Sequence, residues 1–125
     1  MEINDVSGRV VDAAMRVHST LGPGLLESAY EACLAHELRN RGHHVSIQLP
    51  LPISYRGVEI EVGYRLDLLV DDAVIVELKA IAKLAPIHEA QLLSYLKLGG
   101  YRVGLLINFH VPHLRDGIKR MVDQL

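Results

Sequence analysis

Hydrophobic positions recur every three or four residues along the first third of the chain and every second residue in much of the remainder. Val6, Val10, Val11, Ala14, Val17 and Leu21 keep the helical period, after Asn4 or Asp5 as a capping side chain. Gly22-Pro23-Gly24 then breaks the chain, because glycine permits a turn and proline enforces one. A second helix is expected over 25–39, ending near Gly42, with Leu26, Ala29, Tyr30, Cys33, Leu34 and Leu38 as its apolar positions.

From there the period is two. Val45, Ile47 and Leu49 alternate with polar residues, and Pro50 and Pro52 mark an edge or bent strand. Residues 53–55, a turn at Arg56-Gly57, and residues 58–70 read as further strand. Asp71-Asp72 signals a tight turn before a short, nearly continuous apolar strand over 73–80. A helix over 86–98 stopped by Gly99-Gly100, a buried strand over 102–109 and a closing helix over 114–122 complete the chain. The expected order is α-α-β-β-β-α-β-α, an α/β domain with a hairpin-rich sheet flanked by helices. No repeat, low-complexity tract or linker divides residues 1–125, so they read as a single domain.

Composition narrows the class. With half the residues hydrophobic, no Trp and one Phe, the core must be mainly aliphatic. A net charge of -2 gives no whole-protein attraction to phosphate, so contact with nucleic acid would need a local basic patch. The single cysteine, Cys33, cannot form an intrachain disulfide, and its helical core spacing suggests a buried, inert thiol. With no signal peptide, this points to the cytoplasm. No apolar run approaches the roughly 20 residues needed to cross a bilayer.

Charges interrupt two strands that should be apolar. In Val74-Ile75-Val76-Glu77-Leu78-Lys79-Ala80, alternation puts Glu77 and Lys79 on one face and Val76, Leu78 and Ala80 on the other. Asp67 likewise stands among aliphatics in the preceding strand. A three-residue loop at 71–73 would set Val70 against Val74 and Asp67 opposite Glu77, whereas a two-residue loop would set Asp67 opposite Val76. Opposed carboxylates repel at about 5 Å, so something cationic should hold them, either Lys79 or a divalent ion. Oxygen ligands suit Mg²⁺ or Mn²⁺ better than zinc.

Two helical groups lie near these strands in the expected order. Glu27 and Tyr30 share a face at a helix start, where Glu27 could equally complement the helix dipole. His88, Gln91 and Tyr95 share a face of the later helix, which could equally be a polar flank.

Together these residues resemble a known pattern. Gly24, Glu27 and Tyr30 match the motif of the small GxxExxY proteins, a group within the PD-(D/E)XK nuclease superfamily. Asp67 followed by Glu77-Leu78-Lys79 is similar to the superfamily signature, with Leu66 where a proline often stands. Gln91-Leu92-Leu93-Ser94-Tyr95 resembles the QxxxY helix of one of its branches. The resemblance spans about 6–122 and implies a restriction-endonuclease-like core, a mixed central sheet flanked by helices.

It further implies a metal-dependent nuclease acting on DNA or RNA, DNA favoured. Glu27, Asp67, Glu77 and the Leu78 carbonyl would hold Mg²⁺ or Mn²⁺. Asp67, Glu77, Lys79 and Gln91 would form the catalytic set, with Tyr30, Lys83 and Tyr95 as substrate contacts. A metal ion suits phosphodiester cleavage because it offsets phosphate charge and supplies a hydroxide near neutral pH. Two rivals stand beside this: a catalytically silent binding or assembly module of the same fold, and a metal-free ion-pair network centred on Glu77 and Lys79. A homodimer would cover apolar surface on the first or last helix.

Overall fold

The structure is a computed structural model and describes residues 1–124. Helix α1 (Ile3–Leu21) buries Val6, Val10, Ala13, Ala14 and Val17, the stripe that the helical period marks. Its N-cap is Glu2, with no side-chain hydrogen bond, so the expected caps Asn4 and Asp5 lie inside the first turn. Helix α2 (Glu27–Asn40) buries Tyr30, Leu34, Ala35 and Leu38. Cys33, expected in that core, is exposed. Leu34, about 100° further round the helix, takes the inward position.

Strand β1 (Val45–Pro50) is followed by β2 (Ile53–Tyr55) and β3 (Val58–Ile60), which form a separate two-stranded sheet. The expected continuous strand over 58–70 is broken, since the chain leaves β3 after Ile60 and passes Gly63 at φ +85. Strand β4 (Arg65–Val70), β5 (Val74–Lys79), helix α3 (Pro86–Gly99) and β6 (Val103–Asn108) come next. The main sheet has the order β1-β4-β5-β6-β7, with β7 spanning Ile118–Val122. Among the described residues only β5 and β6 run parallel, joined across α3, so the sheet is mixed. Strand β1 sits at an edge, as its prolines require.

The closing helix expected over 114–122 is not formed. One short 3₁₀ turn, Leu114–Gly117, leads into β7, which pairs antiparallel with β6. The reason is local: at Gly117 the chain runs so close to β6 that an added Cβ would collide with the Asn108 carbonyl oxygen. Asp116-Gly117 therefore turns the chain, and residues 118–122 cover the open edge of β6. The apolar surface assigned to a last helix is thus sheet edge.

Helices α1 and α2 pack on one face of the sheet, over Leu68, Val70, Val74, Val76, Leu78, Val103, Leu105 and Ile107. Helix α3 covers the other face through Leu92, Tyr95 and Leu96, against Leu66, Leu69, Ile75 and Leu106. It lies close to β6 because Gly104 has no side chain, and a Cβ there would meet Leu92 at 2.8 Å. Strand β4 carries one irregularity. Leu66 and Leu68 are two residues apart but pack on opposite faces, so the alternation of the strand is broken across Asp67. Among the described residues, no helix is long and apolar enough to cross a membrane.

Candidate active site

The β4–β5 hairpin sets the site. Asp71 and Asp72 take left-handed conformations (φ +53 and +54), which short polar side chains tolerate, and Ala73 N–H donates to Val70 O at 3.0 Å. The loop is therefore the three-residue one, with Val70 against Val74, Leu69 against Ile75 and Leu68 against Val76. The same register brings Asp67 opposite Glu77.

At that pair the backbone ladder gives way to side chains. The Asp67 N–H donates to Glu77 Oε2 at 2.8 Å, and the Leu78 N–H donates to Asp67 Oδ2 at 2.9 Å. Each carboxylate thus accepts a backbone N–H from the opposite strand. Alternation on β5 puts Val76 and Leu78 on the α1/α2 face and Ile75 on the α3 face, so Glu77 and Lys79 belong to the α3 side.

Glu77 is only 6% exposed, and its pKa is pushed up to about 8. Burial is the main cause, the Asp67 charge adds to it, and Glu27 contributes a little more. The Asp67 N–H and the Lys79 charge pull the other way without cancelling the rise. Negative charge is under-compensated here. The ion pairs among the described residues, Arg41–Glu37 and His43–Asp71, do not include Lys79, so the rival Glu77–Lys79 ion-pair network finds no support there.

The remaining expected residues are spread over α2, α3 and the β5–α3 connection. Glu27 is the first residue of α2, exposed, beside a hollow lined by Ser28, Ala80 and His110. Tyr95 on α3 is buried, with its ring 5.7 Å from that of Tyr64. Its pKa is raised by burial, then by the charges of Glu77, Tyr64 and Asp67. Gln91, one turn earlier on α3, is half-buried. Lys83 is exposed in the β5–α3 connection, in a hollow shared with Glu89, Asn108 and Asp116.

Tyr30 departs from its expected role as a substrate contact. It is fully buried and stacked on Phe109 at 4.3 Å. Its hydroxyl donates to Gly22 O at 2.6 Å and accepts from Leu25 N–H at 3.1 Å. Tyr30 ties down the turn that presents Glu27, and it reaches no surface.

Two residues enter the site that sequence reasoning missed. Gln48 on β1 donates through Nε2 to Glu31 Oε1 at 2.9 Å and to Asp67 Oδ1 at 3.1 Å. Glu31 lies one turn after Glu27 on the same face of α2, a spacing that could have flagged it. Nothing in the local sequence marks Gln48, whose place depends on the register of β1 against β4.

The donor chemistry fits a hard divalent cation: the carboxyl groups of Asp67 and Glu77 adjoin, each held by a backbone N–H of the opposite strand. The described residues do not gather three or more His, Cys, Asp or Glu side chains into a metal-holding group. The cluster that does form is Asp67 with Glu77, and Glu27 stands apart from it.

The mixed sheet, the crossover helix and the carboxylates where β4 and β5 part define a restriction-endonuclease-like α/β domain. A family model of the PD-(D/E)XK nuclease superfamily matches residues 4–121, and the chain belongs to that superfamily. Its members generally use divalent metals, and the family implies a nucleic-acid substrate. No curated protein and no solved structure matches the chain.

Proposed function

We propose that this protein is a Mg²⁺- or Mn²⁺-dependent nuclease that hydrolyses phosphodiester bonds, with DNA the first substrate to test and RNA the second. The observation that carries this reading is the reciprocal hold of Asp67 and Glu77, which sets two carboxyl groups side by side with no cationic side chain paired to them among the described residues. Family membership supports the same chemistry.

In this reading Asp67, Glu77 and the Leu78 carbonyl would hold the cation, and Glu27, at the start of α2, would add a further acidic ligand. A bound divalent ion offsets phosphate charge and lowers the pKa of a coordinated water. Lys79, half-buried on the Glu77 face and in no salt bridge among the described residues, would orient the attacking water and stabilise charge on the phosphate. Gln91 positions that water or supports Lys79. Tyr95 braces α3 against the acidic pair and borders the nucleic-acid path, and Lys83 contacts a neighbouring phosphate.

The test is thermal stability against added Mg²⁺ and Mn²⁺ for wild type, Asp67→Ala and Glu77→Ala. Ligand at about 100 times its dissociation constant stabilises by roughly 2.7 kcal/mol, a readable rise in melting temperature. A rise in wild type that both variants lose, followed by metal-dependent cleavage of single- or double-stranded substrate, is the expected result. A metal-induced rise without cleavage of any DNA or RNA would point to the silent binding module.

A further inference from the structure

Gln48 sits midway along β1, between the pairs Ile47–Leu68 and Leu49–Leu66, and so opposite Asp67. Its φ is +52, a left-handed conformation that residues other than glycine adopt rarely. The pairs on either side keep one register, so the distortion is local to Gln48 and to Asp67 opposite it, where the alternation of β4 also breaks. A strained residue of this kind persists only where its surroundings over-determine it.

Its neighbours show what the distortion achieves. The Gln48 carbonyl accepts from Arg65 at 3.3 Å, while its side-chain amino group reaches both Glu31 Oε1 and Asp67 Oδ1. Asp67 is consequently held on both oxygens, Oδ2 by the Leu78 N–H and Oδ1 by Gln48. One neutral amide spans carboxylates from α2 and β4.

We propose that Gln48 is a positioning residue of the acidic centre: it fixes the orientation of Asp67 and draws Glu31 to its side, so that Asp67 is presented to a divalent cation in one pose. The proposal rests on the metal-dependent reading of that centre. Hydrogen-bond partners of metal-ligating groups set ligand orientation, and losing one weakens metal affinity by about 10–100-fold.

The experiment compares wild type, Gln48→Gly and Gln48→Met by calorimetric titration with Mn²⁺, alongside metal-free melting curves. Glycine removes the amide and relieves the backbone; methionine removes the amide at similar length and keeps the backbone demand. Both variants are expected to bind Mn²⁺ about tenfold more weakly or worse. The metal-free melting temperature of Gln48→Gly is expected to equal or exceed wild type, which a merely structural side chain would not allow. Wild-type affinity in Gln48→Gly overturns the positioning role while leaving the metal site standing. Weakening in Gln48→Gly alone assigns the effect to the backbone and also overturns it. Absence of Mn²⁺ binding in wild type overturns the metal reading and this proposal with it.

Discussion

Asp67 and Glu77 face each other across β4 and β5, and the Asp67 N–H donates to Glu77 Oε2 at 2.8 Å. A side chain has taken the place of a strand carbonyl as acceptor. Burial, reinforced by the Asp67 charge, then holds the Glu77 pKa near 8 against an ordinary value of 4.5.

That shift fixes a sign for the pH dependence of stability. Between about pH 4.5 and 8 the folded protein keeps a proton on Glu77 that the unfolded chain has released. For this group stability is therefore greatest below pH 4.5, declines as pH rises, and levels off above about 8. Glu77→Gln cannot ionise and keeps an acceptor oxygen for the Asp67 N–H. Its metal-free stability relative to wild type is expected to grow from pH 5 to pH 8, by a few kcal/mol at most. Denaturant melts at several pH values check this. A constant difference across the range would mean that Glu77 ionises normally in the folded state.

Lys79 separates the nuclease reading from an ion-pair network. Its charge lowers the Glu77 pKa, but among the described residues it makes no salt bridge. Lys79→Met is expected to change stability by less than about 1 kcal/mol, and to lower cleavage by about 100-fold or more. Melting curves and single-turnover cleavage give the two readouts. Severe destabilisation would return the network to consideration.

Tyr30 makes the opposite case, a motif residue whose work is structural. Tyr30→Phe keeps the stack on Phe109 and removes the hydroxyl that joins Gly22 O to Leu25 N. A cost of about 1–2 kcal/mol is expected, since a buried hydrogen-bonding group loses its partner. Equilibrium unfolding measures it, and cleavage per folded molecule should stay within about threefold if Tyr30 touches no substrate.

Legibility in the sequence tracks the range of the forces involved. Periodicity found α1, α2, α3, β5 and β6, because each buries a face set by its own neighbours in sequence. The Asp67–Glu77 opposition was one of two registers open in the sequence, since loop length alone separates them, and the three-residue loop decides it. Gln48 and Glu31 were not legible, since β1 meets β4 and α2 only in three dimensions. Cys33 was misplaced because one helical step decides between core and solvent, and Leu34 competed for the same position.

The C-terminal segment, expected as helix and found as strand, yields the sharpest test of the fold. Leu114, Ile118, Met121 and Val122 keep a spacing that also suits a helix, while Asp116-Gly117 is a turn signal within it. The turn prevails because β6 offers an unpaired edge, and a strand there satisfies its backbone groups. Gly117, just before β7, lies against the end of β6, with the Asn108 carbonyl at the place a Cβ would take. Asn108 in turn holds Ile81 through both of its amide atoms, so a shift at Gly117 bears on the segment after Lys79. Gly117→Ala is expected to destabilise by about 1–3 kcal/mol as an overpacked site. If residues 114–122 were a helix, the same change would stabilise by about 0.5–1 kcal/mol, since alanine is the better helix former. The sign of the change in unfolding free energy decides between strand and helix.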